Sequence, residues 1–298
     1  MISEMDPEGN EWVYAYDDLG RMASSRNPRG YYTVYAYDHA DRLQGITDNA
    51  NNTLTYAYDA ANNIASVVNP RGKTISSTYD ALGNVLTKTD PLTNVWTNTY
   101  DAMGRLATAE DPRGITATYG YDAESQLTSI VPSTGGSVGY TYDALGRQTQ
   151  IADPTGSTTT TFDPAGNALQ IVSPQGTIDY TYTASNQRAT MTLPGSSQVV
   201  SYTYDAAGQL DTLTDWSSGT ATRYDWTLTG NLDTITRPNG VTSNYDYDLA
   251  SRLLTIEHNN GATLLARYAS TLDPDGNRTQ AIITGSAVPN QTDTATYN

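Results

Sequence analysis

Few side chains in this 298-residue sequence could do chemistry. There is no Cys, and hence no disulfide, thiol nucleophile or thiolate metal site. The two histidines, His39 and His258, lie more than 200 residues apart. His39 falls inside Tyr37-Asp38-His39-Ala40-Asp41, and His258 takes the place of Pro in a later turn, so both are expected to be exposed turn residues. Carboxylates are plentiful, and a glycosidase needs two of them about 5–10 Å apart. In a hairpin array, however, equivalent residues two strands apart repeat at roughly 9–10 Å by construction, so that spacing carries no weight. Asp273-Pro274-Asp275-Gly276-Asn277 is similar to the start of a calcium loop but lacks the full ligand spacing and the terminal Glu. No catalytic residue, cofactor or metal site is expected, and the chain does not read as an enzyme.

The information lies in what recurs. An aromatic stands at Tyr16, Tyr37, Tyr58, Tyr79, Tyr100, Tyr121 and Tyr142, each 21 residues after the last. It continues less strictly at Phe162, Tyr182, Tyr204, Trp226 and Tyr247, with Leu272 in a thirteenth copy. A fixed period of this length marks a repeat architecture. Asp usually follows the aromatic, and four residues after the aromatic comes Gly, Asn or Asp in eleven of thirteen copies, types that tolerate positive φ. The motif is clearest in Tyr16-Asp17…Gly20, Tyr79-Asp80…Gly83, Tyr100-Asp101…Gly104-Arg105, Tyr142-Asp143…Gly146-Arg147 and Tyr204-Asp205…Gly208. Asp at i and an αL residue at i+3 specify a type I turn closed by a G1 bulge. A second signal, as in Asp111-Pro112-Arg113-Gly114, specifies another turn. Each repeat therefore holds two reversals and two strands.

Between the turns lie six or seven residues rich in Thr, Val, Ile and Tyr, enough for strands roughly 20 Å long. Alternation in Tyr35-Ala36-Tyr37 and Tyr202-Thr203-Tyr204 puts both aromatics of a pair on one face. No apolar stripe has helical spacing. After the αL position comes Arg, Asn or Gln in all thirteen copies, expected to bond to its own turn, as Arg105 could with Asp101. A large aliphatic usually follows, and a second often comes three residues later, as in Leu43 and Ile46. That spacing puts the two on opposite faces of a regular strand, so either a bulge intervenes or both faces are partly covered. Where the period drifts from 21, the turns are expected to absorb the change, because an insertion within a strand would flip its faces.

Hydrophobic content is 37%, with 23 Tyr and a single Phe, which suits a sheet with a wet face. The formal net charge of −16 is largely turn chemistry, since 17 of the 26 Asp begin one of the two turns. The acidity still argues against nucleic acid, which demands a basic footprint. No apolar run approaches 18 residues, so membrane insertion is not expected.

The pattern Tyr-Asp-x-x-Gly-Arg-Leu followed by Asp-Pro-x-Gly resembles the tyrosine–aspartate (YD) repeats of Rhs proteins, also found in insecticidal toxin-complex components and teneurins. The resemblance covers nearly the whole chain. It implies an antiparallel ribbon spiralling into a hollow shell, which in bacterial members encloses a toxic C-terminal domain and is secreted or displayed at the cell surface. Those shells typically close with a core segment carrying paired Asp-Pro-x-Gly elements that cleave the chain. Here Asp273-Pro274-Asp275-Gly276-Asn277-Arg278 reads as an ordinary repeat turn, with no partner element or toxin behind it.

The expectation is an all-β array of tandem antiparallel hairpins. Residues 1–298 form one array of about 13 copies with some 25 strands, curved or spiralling, and are a fragment of a longer protein. Its role is a structural wall segment around a toxic cargo; its partners are the remaining repeats and the enclosed toxin domain. The alternative is an adhesin or carbohydrate-binding array in which exposed tyrosines meet glycans. An array cut from its neighbours exposes an unpaired strand at each end, and such edges template further pairing. The tail from Gly285 to Asn298 is the one candidate cover. Self-association through a terminal strand is therefore expected, seen as a concentration-dependent mass in sedimentation over a hundredfold range. A strict monomer throughout would contradict it.

Overall fold

Most hairpins on the first rim are held at the tip by one aspartate, with Thr183 and Thr227 taking its place in two copies. In the copy at Asp101, the backbone closes through Asp101 N–H to the Arg105 carbonyl (2.9 Å) and Gly104 N–H to the Asp101 carbonyl (2.9 Å). The carboxylate then caps the loop. Its Oδ1 accepts the N–H groups of Met103 and Arg105, each at 2.9 Å, and its Oδ2 accepts Arg105 Nε at 2.7 Å. The residue before the exit is left-handed: φ is 86° at Gly83, 77° at Gly104 and 78° at Gly146. Asp41, Asn62, Ser125, Asn186 and Ser251 adopt the same conformation in their copies.

The second turn is built the same way in most copies. At Asp111 the closing bonds are Asp111 N–H to the Ile115 carbonyl and Gly114 N–H to the Asp111 carbonyl. Where the period shortens to 20, it is this turn that tightens: Asp153 pairs directly with Gly156, and Ser173 with Gly176. The 25-residue step from Tyr247 to Leu272 behaves differently. There the strands lengthen, to Leu253–Asn260 and Thr263–Leu272, and the turn becomes tighter. An extra bulge at Leu265, between the pairs His258↔Ala266 and Asn259↔Leu264, restores the faces that a plain insertion would have flipped.

The computed structural model, which describes residues 1–217 and 219–294, is a single meander of 28 strands numbered β1 to β28 in chain order. It opens with β1 (Ile2–Met5), β2 (Glu11–Tyr16), β3 (Met22–Arg26), β4 (Tyr32–Tyr37), β5 (Leu43–Thr47) and β6 (Thr53–Tyr58). It ends with β24 (Val241–Tyr247), β25 (Leu253–Asn260), β26 (Thr263–Leu272), β27 (Arg278–Thr284) and β28 (Gln291–Thr294). Consecutive strands pair antiparallel throughout. The strands exceed the expected 25 because the partial copies at both ends also pair. Thus the tail after Gly285 supplies β28 itself; residues 295–298 lie outside the described residues.

A bulge settles the aliphatic spacing. Tyr35 pairs with Ile46 and Ala36 with Gly45, but Tyr37 pairs with Leu43, leaving Gln44 extra. The same shift recurs in the Tyr–Asp hairpins along the array. Leu43 and Ile46 therefore join Tyr35 and Tyr37 on one face. The opposite face carries hydroxyl pairs such as Thr78–Thr87, Thr99–Thr108 and Thr203–Thr212, each at 2.6 Å. Among the described residues only Val200 and Ala266 are buried hydrophobics. Packing is between neighbouring copies within one layer, not between layers.

The αL turns predict a graded response at Gly104. Gly104→Ala should cost roughly 1 kcal/mol or more, because Cβ is strained at φ 77°. Gly104→Asn should cost clearly less, since Asn62 occupies the equivalent place at φ 69°. Denaturant melts of the two variants check the order.

Candidate functional site

The turn residues picked out from sequence form two rims, one at each end of the strands. On the first rim, Tyr16-Asp17-Gly20, Tyr79-Asp80-Gly83, Tyr100-Asp101-Gly104, Tyr142-Asp143-Gly146 and Tyr204-Asp205-Gly208 occupy equivalent places. They are never gathered into one pocket. What they build is a coupling from each copy to the next.

Tyr58 shows it. Its hydroxyl donates to the carbonyl of Leu43 at 2.7 Å, one repeat back and beyond the last paired residue of the β5–β6 ladder. The bond recurs from Tyr79 to Ile64, Tyr100 to Val85, Tyr121 to Leu106 and Tyr142 to Leu127. Trp226 keeps it through indole Nε1 to Leu210 at 2.8 Å, which explains why Trp can replace Tyr here. Arg42 covers the ring, its guanidinium 4.5 Å from the centroid. The same guanidinium binds Asp38 behind it and donates to Asn62 Oδ1 ahead at 2.7 Å. Arg105 and Arg147 repeat this over Tyr121 and Phe162. The Arg column thus bonds to its own turn and also reaches forward. Gln187 reaches the Gly208 carbonyl at 2.8 Å, whereas Asn63 and Asn84 hold only their own aspartates.

These bonds hold the carboxyl groups below the ordinary Asp value. For Asp17, Asp38, Asp59 and Asp80 the main cause is the side chain of Arg21, Arg42, Asn63 or Asn84, followed by the same residue's backbone N–H. At Asp101 the Arg105 backbone N–H comes first.

A second set of contacts joins residues more than 240 positions apart. Asn27 Nδ2 donates to Asp275 Oδ2 at 2.7 Å, and Arg29 Nη1 lies 3.3 Å from Asp273 Oδ2. The backbone N–H of Leu249 donates to Glu8. Asp6, Glu8, Asn27 and Arg29 belong to second-rim turns near the start of the array; Leu249, Asp273 and Asp275 belong to first-rim turns near its end. In each contact 23 strands intervene, β2 to β24 or β4 to β26. The ribbon therefore coils until one rim sits on the other. At ~4.8 Å per strand one circuit is about 110 Å, or roughly 35 Å across. Asp273 is largely buried at this seam; burial works against its charge, but Asn277 and Arg29 keep its pKa below the ordinary value. Asp275 goes the other way, raised by burial and then by Asp273, and its Oδ1 is buried without a hydrogen-bond partner among the described residues.

His258 corrects the sequence expectation. It is not in a turn but inside β25, paired with Ser243 on one side and Ala266 on the other, because the long last copy moves its turn to Gly261. Ser243 is fully buried, its hydroxyl 2.7 Å from His258 Nδ1, and it accepts Arg237 Nη1 at 2.6 Å. A hydroxyl beside an imidazole invites comparison with a nucleophile. This one has no access to substrate, and Arg237 already occupies its oxygen. Only the 25-residue period hinted at the place. Among the described residues no cluster of three or more His, Asp or Glu could hold a metal ion, and no helix is long and apolar enough to cross a membrane. One depression, about 750 Å³, is lined by Trp12, Tyr14, Tyr31, Tyr32, Asn49 and Asn52 among others. It exists because Ser25 and Thr33 stand where Ile46 and Leu54 fill the next copy.

Two outcomes follow. Tyr58→Phe should lose about 0.5–1.5 kcal/mol, the ordinary worth of one hydrogen bond, with little change in fold. The capped aspartates have folded pKa values below their unfolded ones, so their contribution is present above the unfolded value of 3.8 and is lost as pH falls through the folded values. The melting temperature should stay nearly level from pH 7 to about 5 and drop below about 4.

Comparison with known proteins agrees with this geometry. The family model described as teneurin YD-shell matches residues 91–268, and that described as RHS repeat matches 1–32 and 37–74. No curated protein matches. Among solved structures, TcdB2-TccC3 without its hypervariable C-terminal region superposes with a TM-score of 0.78 at 16% identity, covering 97% of this chain and 19% of the other. The TcdB2-TccC3-TEV structure gives 0.76 at 16%, with the same coverage. The Photorhabdus luminescens Tc holotoxin pore carrying TccC3-D651A gives 0.73 at 16%, covering 93% and 18%. This chain thus spans about a fifth of the length of those structures. The family match runs over more than half of the chain, in the same repeats that form its coupled rims: the chain belongs to the teneurin YD-shell family.

Proposed function

We propose that this chain is a wall segment of a hollow β-shell that encloses a toxic cargo domain of a longer bacterial protein. The observation that carries the reading is the seam, where Asn27 and Arg29 meet Asp275 and Asp273 and turn a ribbon into a coil with a lumen. The likeness to Tc toxin structures supports the coiled fold, and the cargo follows from that analogy. Partners are the remaining repeats and the enclosed domain. The protein is secreted or held at the cell surface. The role is structural: the one hydroxyl–imidazole pair described above is sealed, and most of the aspartates begin turns.

Electron cryo-microscopy of the complete gene product tests this. The expected image is a closed shell with density for the terminal domain inside the lumen. A cargo domain resolved outside an empty shell would overturn the reading, as would hydrolysis of a glycan or peptide panel by this chain that Asp or His substitutions abolish.

One observation favours a second reading. The depression at Trp12, Tyr14 and Tyr31 combines aromatic faces with Asn amides, the chemistry that meets sugar rings. Binding on a glycan array that Trp12→Ala removes would support an adhesin instead.

A further inference from the structure

The turn that makes the seam has a twin. Asn27-Pro28-Arg29-Gly30 recurs letter for letter as Asn69-Pro70-Arg71-Gly72, two hairpins further along the same rim. The two have the same geometry. Asn27 N–H and Gly30 N–H close the first at 3.0 and 2.9 Å; Asn69 N–H and Gly72 N–H close the second at 2.9 and 2.9 Å. The glycines sit at φ 87° and 72°. In both, Asn Oδ1 accepts backbone N–H groups inside the turn, which leaves Nδ2 pointing to other business. At the seam that business is Asp275, with Arg29 beside Asp273. At the twin, Asn69 Nδ2, the Arg71 guanidinium and the Lys73 ammonium make no hydrogen bond or ion pair among the described residues, and all three residues are exposed.

The Asn is what distinguishes these turns. In Asp111-Pro112-Arg113-Gly114 the carboxylate recaptures the arginine, with Arg113 Nη2 2.6 Å and Nε 2.9 Å from Asp111 Oδ2. An amide cannot do this. It offers a donor instead, so Arg29 lies over Tyr31 and donates to its hydroxyl at 3.0 Å, while Arg71, with Lys73 in place of that tyrosine, faces outward. Arg71 and Lys73 thus form an outward cationic pair on a chain whose net charge is −16.

We propose that Asn69-Pro70-Arg71-Gly72 is a docking site for an acidic hairpin turn with carboxylates two residues apart, the chemistry of Asp273-Pro274-Asp275-Gly276. Continuity with the seam sets the occupant. The Asn27–Asp275 offset applied at Asn69 falls past residue 298, so the turn comes from a repeat outside this sequence. Asn69 Nδ2 would take one carboxylate and Arg71 the other. The inference rests on the seam and does not need a cargo.

The test uses the full chain, isotope-labelled for NMR, titrated with a head-to-tail cyclised peptide that displays Asp273–Arg278. The expected result is saturable shifts of the Asn69 side-chain amide and Arg71 Nε–H. They should be absent with a peptide carrying Asn at both Asp positions and weakened at least fivefold by Arg71→Ala. Asn69→Asp is the sharper variant. It keeps the arginine and the turn but should draw Arg71 back onto its own carboxylate, and so abolish binding. No shift at Asn69 and Arg71 at millimolar peptide, shifts confined to Asn27 and Arg29, an equal response to the neutral peptide, or unchanged binding by Asn69→Asp would each overturn the proposal.

Discussion

Leu43 and Ile46 can lie under the same tyrosines only because Gln44 has no partner. A regular strand would send one of them to the far face, where threonine hydroxyls pair. The extra residue also ends regular pairing where the Leu43 carbonyl needs a donor, and Tyr58 of the next copy provides one. A local irregularity in one hairpin is thereby made the attachment point for the next. Unpaired carbonyls are costly, so the constraint is strong. It also selects the residue type at the aromatic position: Tyr and Trp bring a donor, while Phe162 brings only a face for Arg147.

Coupling of this kind is between nearest neighbours, and an array built from it behaves as a one-dimensional chain. The seam adds a different term. Asn27 and Asp275 are neighbours only because every intervening hairpin contributes its share of curvature. A defect anywhere along the 23 strands would be felt there, even though the hairpins around it remain intact. Curling also answers the problem of a long flat ribbon, which twisted strands do not form. It does not remove the edges, since β1 and β28 still present theirs, and Ile2 and Met5 are well exposed on the first.

Much of the fold was legible because the turns are short-range devices. Asp101 and Gly104 reveal their roles through types and spacing alone, since a carboxylate cap and a positive φ require nothing from elsewhere. The bulge was legible only as an alternative: the spacing of Leu43 and Ile46 showed a conflict without showing how it is resolved. The seam was not legible at all. Asp273-Pro274-Asp275-Gly276 has the letters of an ordinary turn and indeed has its hydrogen bonds. What makes it different is a partner 248 residues away, and curvature summed over many hairpins has no local signature. His258 was misplaced for a related reason. Its register follows from strands that lengthen together, and one sequence position cannot report that.

The seam also differs from the turns in its electrostatics. In an ordinary rim turn one carboxylate meets enough donors, and the charged form is favoured. At the seam two carboxylates share Arg29 and the amide of Asn27, and one oxygen of Asp275 is left without a donor. Burial and the neighbouring Asp273 then push Asp275 towards its neutral form. A group whose folded pKa is raised adds stability as pH falls through that value, the reverse of the capped aspartates. Mild acid therefore acts on the two parts of the molecule in opposite directions: it relieves repulsion where the coil closes, before it begins to strip the caps from the hairpins that form the wall.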